Sequence, residues 1–414
     1  MEITLISPNP HGTLNAIPSK SYAHRALICA ALADRNTKLI CPRSSRDIEA
    51  TVSCLRSLGA EIDCTDDGFT VSPIKTAPEK AVLNVGESGS TLRFMLPLSA
   101  VLGSEVEFLT EGRLASRPLS PLSEELERHG AKINRSPLSI SGRITSGEYT
   151  LDGSVSSQFT TGLMLALPYL GESSSITLTG KVESKPYIDL TKNVLERFGV
   201  EVSEHDCVYN IKGKYSSPEV LEVEGDWSNS AFMLTAGAIG KSVTVVGLDI
   251  NSTQGDRRIA SILEEFGANV VINGNKVTVS HGELHGITVD AADVPDLVPI
   301  ICVAAMAADG DTRIKNCGRL RLKESDRIES VCDMIDSLGG NIAVDGDEII
   351  VHGGIREKDR VNINSYNDHR IVMAATVGSM LTEAMVTIDG CEAVSKSYPG
   401  FFDDFGKLCT YQGE

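Results

Sequence analysis

Lys20, Ser21 and Arg25 lie within Pro18-Ser19-Lys20-Ser21-Tyr22-Ala23-His24-Arg25, which puts hydroxyls and two cations on the first turns of what reads as a helix. Free backbone N–H groups and the helix dipole make such an entrance a place for a phosphate or a carboxylate. Gly86-Glu87-Ser88-Gly89-Ser90-Thr91-Leu92-Arg93 is a second entrance, in which Gly89 lets the backbone approach a ligand closely. Val155-Ser156-Ser157-Gln158 is a third, and its three neutral hydrogen-bonding side chains suit a polyhydroxylated ligand. Each entrance alone reads as well as a plain N-cap. Three in one chain carry more weight.

The C-terminal half supplies charge of both signs. Lys323-Glu324-Ser325-Asp326-Arg327 places four ionisable residues in one short run, and Asn367-Asp368-His369-Arg370 opens an apolar helix. Asp293-Val294-Pro295-Asp296 leads into another, where Asp296 either stabilises the helix N-terminus or serves as a base. Basic residues recur in the loops before a second series of helices: Arg46, Arg117, Lys185, Arg257 with Arg258, Arg327 with Lys323, and Lys396. Others (Lys20, Arg25, Arg93 and Arg370) stand at the start of the first series. Cations gathered at equivalent points in a chain of net charge −18 point to a small anionic ligand. The same acidity argues against a nucleic acid partner, whose phosphate backbone needs a basic surface.

The elements that must position these residues repeat. Leu58-Gly59, His129-Gly130, Phe198-Gly199, Phe266-Gly267, Leu338-Gly339 and Phe405-Gly406 recur about every 70 residues, each expected at a helix C-terminus where left-handed φ is needed. Small-residue-rich apolar helices begin near Lys20, Ser90, Ser156, Trp227, Val294 and Tyr366 at the same spacing; such helices are buried. Each precedes a short β-branched run, an amphipathic helix ending in the repeated Gly, and often a strand pair. Val270 to Val279, with Asn273-Gly274 as the expected turn, shows that pair best. The chain therefore reads as α/β, a βαβαββ unit repeated six times, with three repeats in each of two domains.

No apolar run reaches the roughly 18 residues of a membrane span. The chain opens on a strand at Glu2–Ile6 with no leader pattern before it, and its ten cysteines have neither metal-site nor disulfide-scaffold spacing. A cytoplasmic protein with reduced thiols, no membrane partner and no metal is expected.

Taken together, these motifs resemble the 5-enolpyruvylshikimate-3-phosphate synthase family of carboxyvinyl transferases, in family order from Lys20 to Lys396. The resemblance implies the enolpyruvyl transferase fold, like an inverse α/β barrel. One domain is then discontinuous, at 1–16 plus 226–414, and the other is inserted at 17–225, with the active site in the cleft between them. It implies no cofactor and a monomer acting on two small substrates. Shikimate-3-phosphate contacts map to Lys20, Ser21, Arg25, Ser156, Ser157, Gln158, Ser184, Asp296 and Lys323, with Tyr187 beside the ring. Phosphoenolpyruvate contacts map to Lys20, Gly89, Arg117, Gln158, Arg327, Arg370 and Lys396. Catalytic roles map to Glu324 as proton donor to C3, Asp296 as base for the hydroxyl, and Lys20 or Lys396 at the phosphate bridge oxygen. The neighbouring Lys323 and Arg327 would lower the Glu324 pKa, so its role as an acid requires an offset from desolvation or substrate charge.

Glu87 departs from the family's usual Gly-Asn-Ala or Ser-Gly-Thr loop. A carboxylate there repels an anion unless it turns away or pairs with a cation. The nearest alternative is the sister enzyme acting on UDP-N-acetylglucosamine, which typically has Lys-Asn where this chain has Lys20-Ser21, and a loop Cys absent from 111–117 here. A non-catalytic anion-binding module leaves Asp296 and Glu324 unexplained.

Overall fold

In the computed structural model, which describes residues 1–410, the helices are of two alternating kinds. Pro18–Val223 forms one compact unit, and Met1–Ile17 with Glu224–Glu414 forms another. The first, called here the inserted unit, contains α1 (Lys20–Ala31), α2 (Arg46–Ser57), α3 (Gly89–Leu102), α4 (Leu122–Arg128), α5 (Ser157–Ala166) and α6 (Lys185–Arg197). The second, the terminal unit, contains α7 (Trp227–Ile239), α8 (Ile259–Glu265), α9 (Val298–Met306), α10 (Arg327–Ser337), α11 (His369–Gly378) and α12 (Phe401–Thr410). Odd-numbered helices are buried around nearly their whole circumference, because Ala, Gly, Ser and Leu give them no polar stripe. Even-numbered helices bury one face only, as α2 does with Ile48, Val52 and Leu55.

Each repeat makes its own sheet. The strand Lys80–Gly86 runs parallel to Glu105–Thr110, which α3 makes possible by carrying the chain back, and the hairpin Lys132–Arg135 with Leu138–Ser141 adds antiparallel strands. The same order recurs with Glu148–Asp152 and Ser174–Thr179 in the inserted unit, and with Thr288–Asp290 and Asp311–Lys315 in the terminal unit. The remaining repeats borrow strands from distant sequence. Val220–Glu222 pairs with Thr37–Ile40, and Gly12–Asn15 pairs with Ser242–Val246. Glu2–Ile6 closes the sheet of Arg360–Asn364 and Met385–Asp389 by antiparallel pairing.

The sixth repeat corrects one expectation. Gly59, Gly130, Gly199, Gly267 and Gly339 follow their helices with φ between 76° and 112°, whereas Gly406 lies inside α12. Glu2–Ile6 already occupies the position that a hairpin strand takes in the other sheets, so no turn into a strand is needed at Gly406. The turn after Asn269–Asn273 is also displaced by one residue. Asn273 pairs with Lys276, so Gly274-Asn275 forms the loop, and Gly274 has φ 60°. The fifth apolar helix begins later than Val294, after a 3₁₀ turn at Pro295–Leu297. The sixth begins at His369, after Tyr366 and Asn367 both adopt left-handed φ.

All ten cysteines are free, and Cys29, Cys41, Cys54, Cys302, Cys317 and Cys391 are buried. Among the described residues no helix is long and apolar enough to cross a membrane.

Candidate active site

In the inserted unit, the polar residues collect at the N-termini of the buried helices. Ser19, Ser88 and Ser156 cap α1, α3 and α5 by accepting from Tyr22, Thr91 and Gln158 backbone N–H groups. Pro97 lacks an N–H, so it makes no helical bond to the Arg93 carbonyl, and Gly162 of α5 packs onto that oxygen with no room for a Cβ. This close approach brings the two entrances together. Arg93 Nη1 donates to Gln158 Oε1 at 2.9 Å, and Gln158 Nε2 donates to Ser90 Oγ at 2.9 Å.

Gly89 is where the guanidinium groups meet. A Cβ on Gly89 would stand 2.6 Å from Arg93 Nη1 and 2.7 Å from Arg117 Nη1. Two like charges over one backbone atom at a helix N-terminus form an arrangement that an anion stabilises. The Glu87 carboxylate lies against Gly112, again leaving no room for a Cβ.

Lys20 and Arg25 are engaged with the protein. Lys20 Nζ lies 2.8 Å from Asp47 Oδ2 at the start of α2. Arg25 donates to Thr191 Oγ1 at 2.9 Å, Ser21 O at 2.6 Å and Tyr187 O at 3.1 Å, tying α1 to α6. Burial lowers its pKa to about 10, and it stays protonated. Ser184 is buried at the entrance of α6 with φ 53°, a strained conformation for a residue with a Cβ. Ser156, Ser157 and Gln158 share the α5 entrance.

In the terminal unit, the centre is a network of ion pairs. Asp296 Oδ1 accepts from Lys323 Nζ at 3.1 Å and from Arg327 Nη1 at 2.8 Å, while Oδ2 accepts from Arg370 Nη2 at 3.3 Å. Burial pushes the Asp296 carboxyl up, but Arg370, Lys323 and Arg327 outweigh it and hold the group well below the usual carboxylate range. Burial lowers the Lys323 pKa, and Asp296 opposes that shift. Arg327, 1% exposed, also donates to Glu324 Oε2 at 2.7 Å and to Asp368 Oδ2 at 3.0 Å. Lys396 Nζ donates to Asn367 O at 2.5 Å.

The cation inventory divides accordingly. Arg117 lies at Gly89; Lys323, Arg327 and Arg370 join Asp296. Arg46, Arg257 and Arg258 are exposed, and Lys185 pairs with Asp189 and Glu204. Sequence reasoning missed Asp47, Asp256 and the part played by Asp368. Asp368 is fully buried, caps α11 and receives both Arg327 and Ser325. Its N-cap position before an apolar helix was the available signal. Asp256 is buried beside Ser228, whose hydroxyl donates to it; burial first, then Asp296, raises its pKa to about 6.

The family model for EPSP synthase (3-phosphoshikimate 1-carboxyvinyltransferase) matches residues 7–405. The chain belongs to the EPSP synthase family. A 3-phosphoshikimate 1-carboxyvinyltransferase of Clostridium kluyveri is 40% identical over 414 residues, covering 97% of each chain. One from Methanocorpusculum labreanum is 36% identical over 408 residues, covering 96% of each. An EPSP synthase structure from Acinetobacter baumannii shares the fold, with a TM-score of 0.79 at 24% identity over 99% of this chain and 98% of that one. The enolpyruvyl transferase NikO from Streptomyces tendae also shares it, with a TM-score of 0.76 at 14% identity over 98% and 97%. In both units of this EPSP synthase family member, the polar residues stand at helix entrances set by the repeat.

Proposed function

We propose that this protein transfers the enolpyruvyl group of phosphoenolpyruvate to the 5-hydroxyl of shikimate-3-phosphate, releasing phosphate. Residues of both units serve the one reaction. Gly89, Arg117 and Gln158 hold phosphoenolpyruvate with Lys20, Arg327, Arg370 and Lys396. Lys20, Ser21, Arg25, Ser156, Ser157, Gln158, Ser184, Tyr187, Asp296 and Lys323 hold the sugar phosphate. The observation that carries this reading is the convergence of Lys323, Arg327 and Arg370 on Asp296, with Glu324 on the same guanidinium. It pairs anion-binding groups with two carboxylates whose proton affinity rises once a substrate anion takes up the cations that now hold them.

In the addition step the 5-hydroxyl oxygen bonds to C2 and gives its proton to Asp296, while C3 takes a proton from Glu324. The tetrahedral adduct then loses phosphate as C3 returns a proton, with Lys20 or Lys396 at the bridge oxygen. Arg327 Nη2 donates to Glu324 Oε2. A substrate anion taking that guanidinium displaces Glu324 and adds negative charge beside it, and both effects raise its proton affinity. This resolves the conflict between Glu324 as an acid and its two cationic neighbours. No metal or organic cofactor has a role, and the enzyme is a cytoplasmic monomer, a setting that its free thiols suit.

Phosphate release is measured with phosphoenolpyruvate and either shikimate-3-phosphate or UDP-N-acetylglucosamine. Release with shikimate-3-phosphate alone is expected; release only with the nucleotide sugar moves the protein to the sister activity.

A further inference from the structure

Four buried side chains outside the ligand set join the α1 entrance to the α3 entrance. His24 Nδ1 lies 2.7 Å from Thr51 Oγ1 of α2, and Thr51 Oγ1 lies 2.8 Å from Thr91 Oγ1 of α3. Thr91 Oγ1 lies 2.8 Å from the cap Ser88 Oγ, which accepts from Thr91 N at 3.3 Å. None of the four is more than 2% exposed.

Counting protons orients the chain. Each hydroxyl has one to give. Thr91 directs its proton to Ser88 Oγ or to Asp47 O, 3.5 Å away. Thr51 must then donate to Thr91, so His24 Nδ1 carries the proton that Thr51 accepts. Nε2 is left as a bare lone pair, and it is buried without a hydrogen-bond partner. The Phe94 ring is nearby, with the His24 and Phe94 ring centroids 6.4 Å apart at 80°. Burial, with Lys20 and Arg25 adding to it, holds the imidazole pKa well below its ordinary value, so the neutral tautomer persists. A leucine would fill much of the same space without an orphaned acceptor, and an unmade bond at a buried polar atom is costly. What the histidine contributes is therefore the Nδ1–H.

We infer that His24 is a positioning residue for phosphoenolpyruvate: its Nδ1–H, relayed through Thr51 and Thr91, holds Ser88 and so fixes the α3 entrance where Gly89 meets the ligand. The relay ends one residue before Gly89, so it sets that backbone segment without touching substrate. This inference rests on the reading above that Gly89 and Arg117 hold phosphoenolpyruvate.

The test compares His24→Leu, His24→Asn and His24→Gln, with Arg117→Ala as the control on the site itself. An Asn amide nitrogen reaches the Nδ1 position and a Gln amide nitrogen the Nε2 position. Steady-state kinetics are measured for both substrates, with denaturant unfolding alongside. His24→Leu and His24→Gln are expected to raise the KM for phosphoenolpyruvate about tenfold, the loss of one buried hydrogen bond, with kcat and the KM for shikimate-3-phosphate within about twofold. His24→Asn is expected to restore it. Equal KM values in the Asn and Gln variants overturn the inference, including where the Leu variant does not fold. An effect in Arg117→Ala with none in any His24 variant overturns it alone. An unchanged KM in Arg117→Ala overturns the site reading and this inference with it.

Discussion

The guanidinium groups of the two units are held differently. The inserted unit sets two guanidinium groups over Gly89 and surrounds them with hydroxyls, an amide and helix N-termini. The terminal unit neutralises its own cations: Asp296, Glu324 and Asp368 all bond to Arg327, and Asp296 also receives Lys323 and Arg370. On the proposed reading, an anion at Gly89 meets guanidinium groups and helix N–H groups directly. At Arg327, on the same reading, an anion displaces a carboxylate already in place. Exchange of this kind costs binding energy but returns a carboxylate with raised proton affinity, which an addition-elimination reaction needs.

The contrast is broken most severely at Arg327. Arg327→Ala leaves Asp368 buried without its main cation, and removing one partner of a buried pair typically costs about 3–5 kcal/mol. Loss of kcat/KM by about a thousandfold or more is expected, with a lowered midpoint in urea unfolding; retained stability would show that the network is not self-supporting. Gly89→Ala sharpens the other side. The new Cβ forces the Arg93 and Arg117 guanidinium groups to shift, and both are ends of flexible side chains. The KM for phosphoenolpyruvate is expected to rise about tenfold with stability within about 0.5 kcal/mol; a large loss of stability would place Gly89 among the packing residues.

The smallest effect lies at Asp256, where the sign follows from linkage. Its folded pKa of about 6 stands above the unfolded value, so its ionisation destabilises the fold as pH rises from about 4 to 6. Asp256→Asn is expected to gain stability relative to the parent in denaturant unfolding, by about 1 kcal/mol near pH 5 and by more as pH rises to about 7. A gap that does not change with pH would remove Asp256 from the charge balance around Asp296.

The repeats were legible because their signals are local. A Gly after each amphipathic helix and a small-residue helix before each β-branched run follow from φ/ψ and burial at single positions. Gly406 escaped this logic, since the distant Glu2–Ile6 segment fills the sheet position that a hairpin strand takes in the other repeats. The helix entrances at Lys20, Gly89 and Ser156 were legible for the same local reason, as was the charged run at Lys323 to Arg327.

What the sequence by itself determined is therefore the α/β repeat, the placement of polar groups at helix entrances and the supply of both charges. Only the tertiary structure decided which of those groups meet. Asp47 finds Lys20, Asp368 finds Arg327, and His24 reaches Ser88 through two threonines, in each case across different helices. Helical periodicity specifies the face on which a side chain lies. Its partner across the core depends on how closely the helices pack, and that is set by features such as Pro97 and Gly162 acting together over a long stretch of sequence.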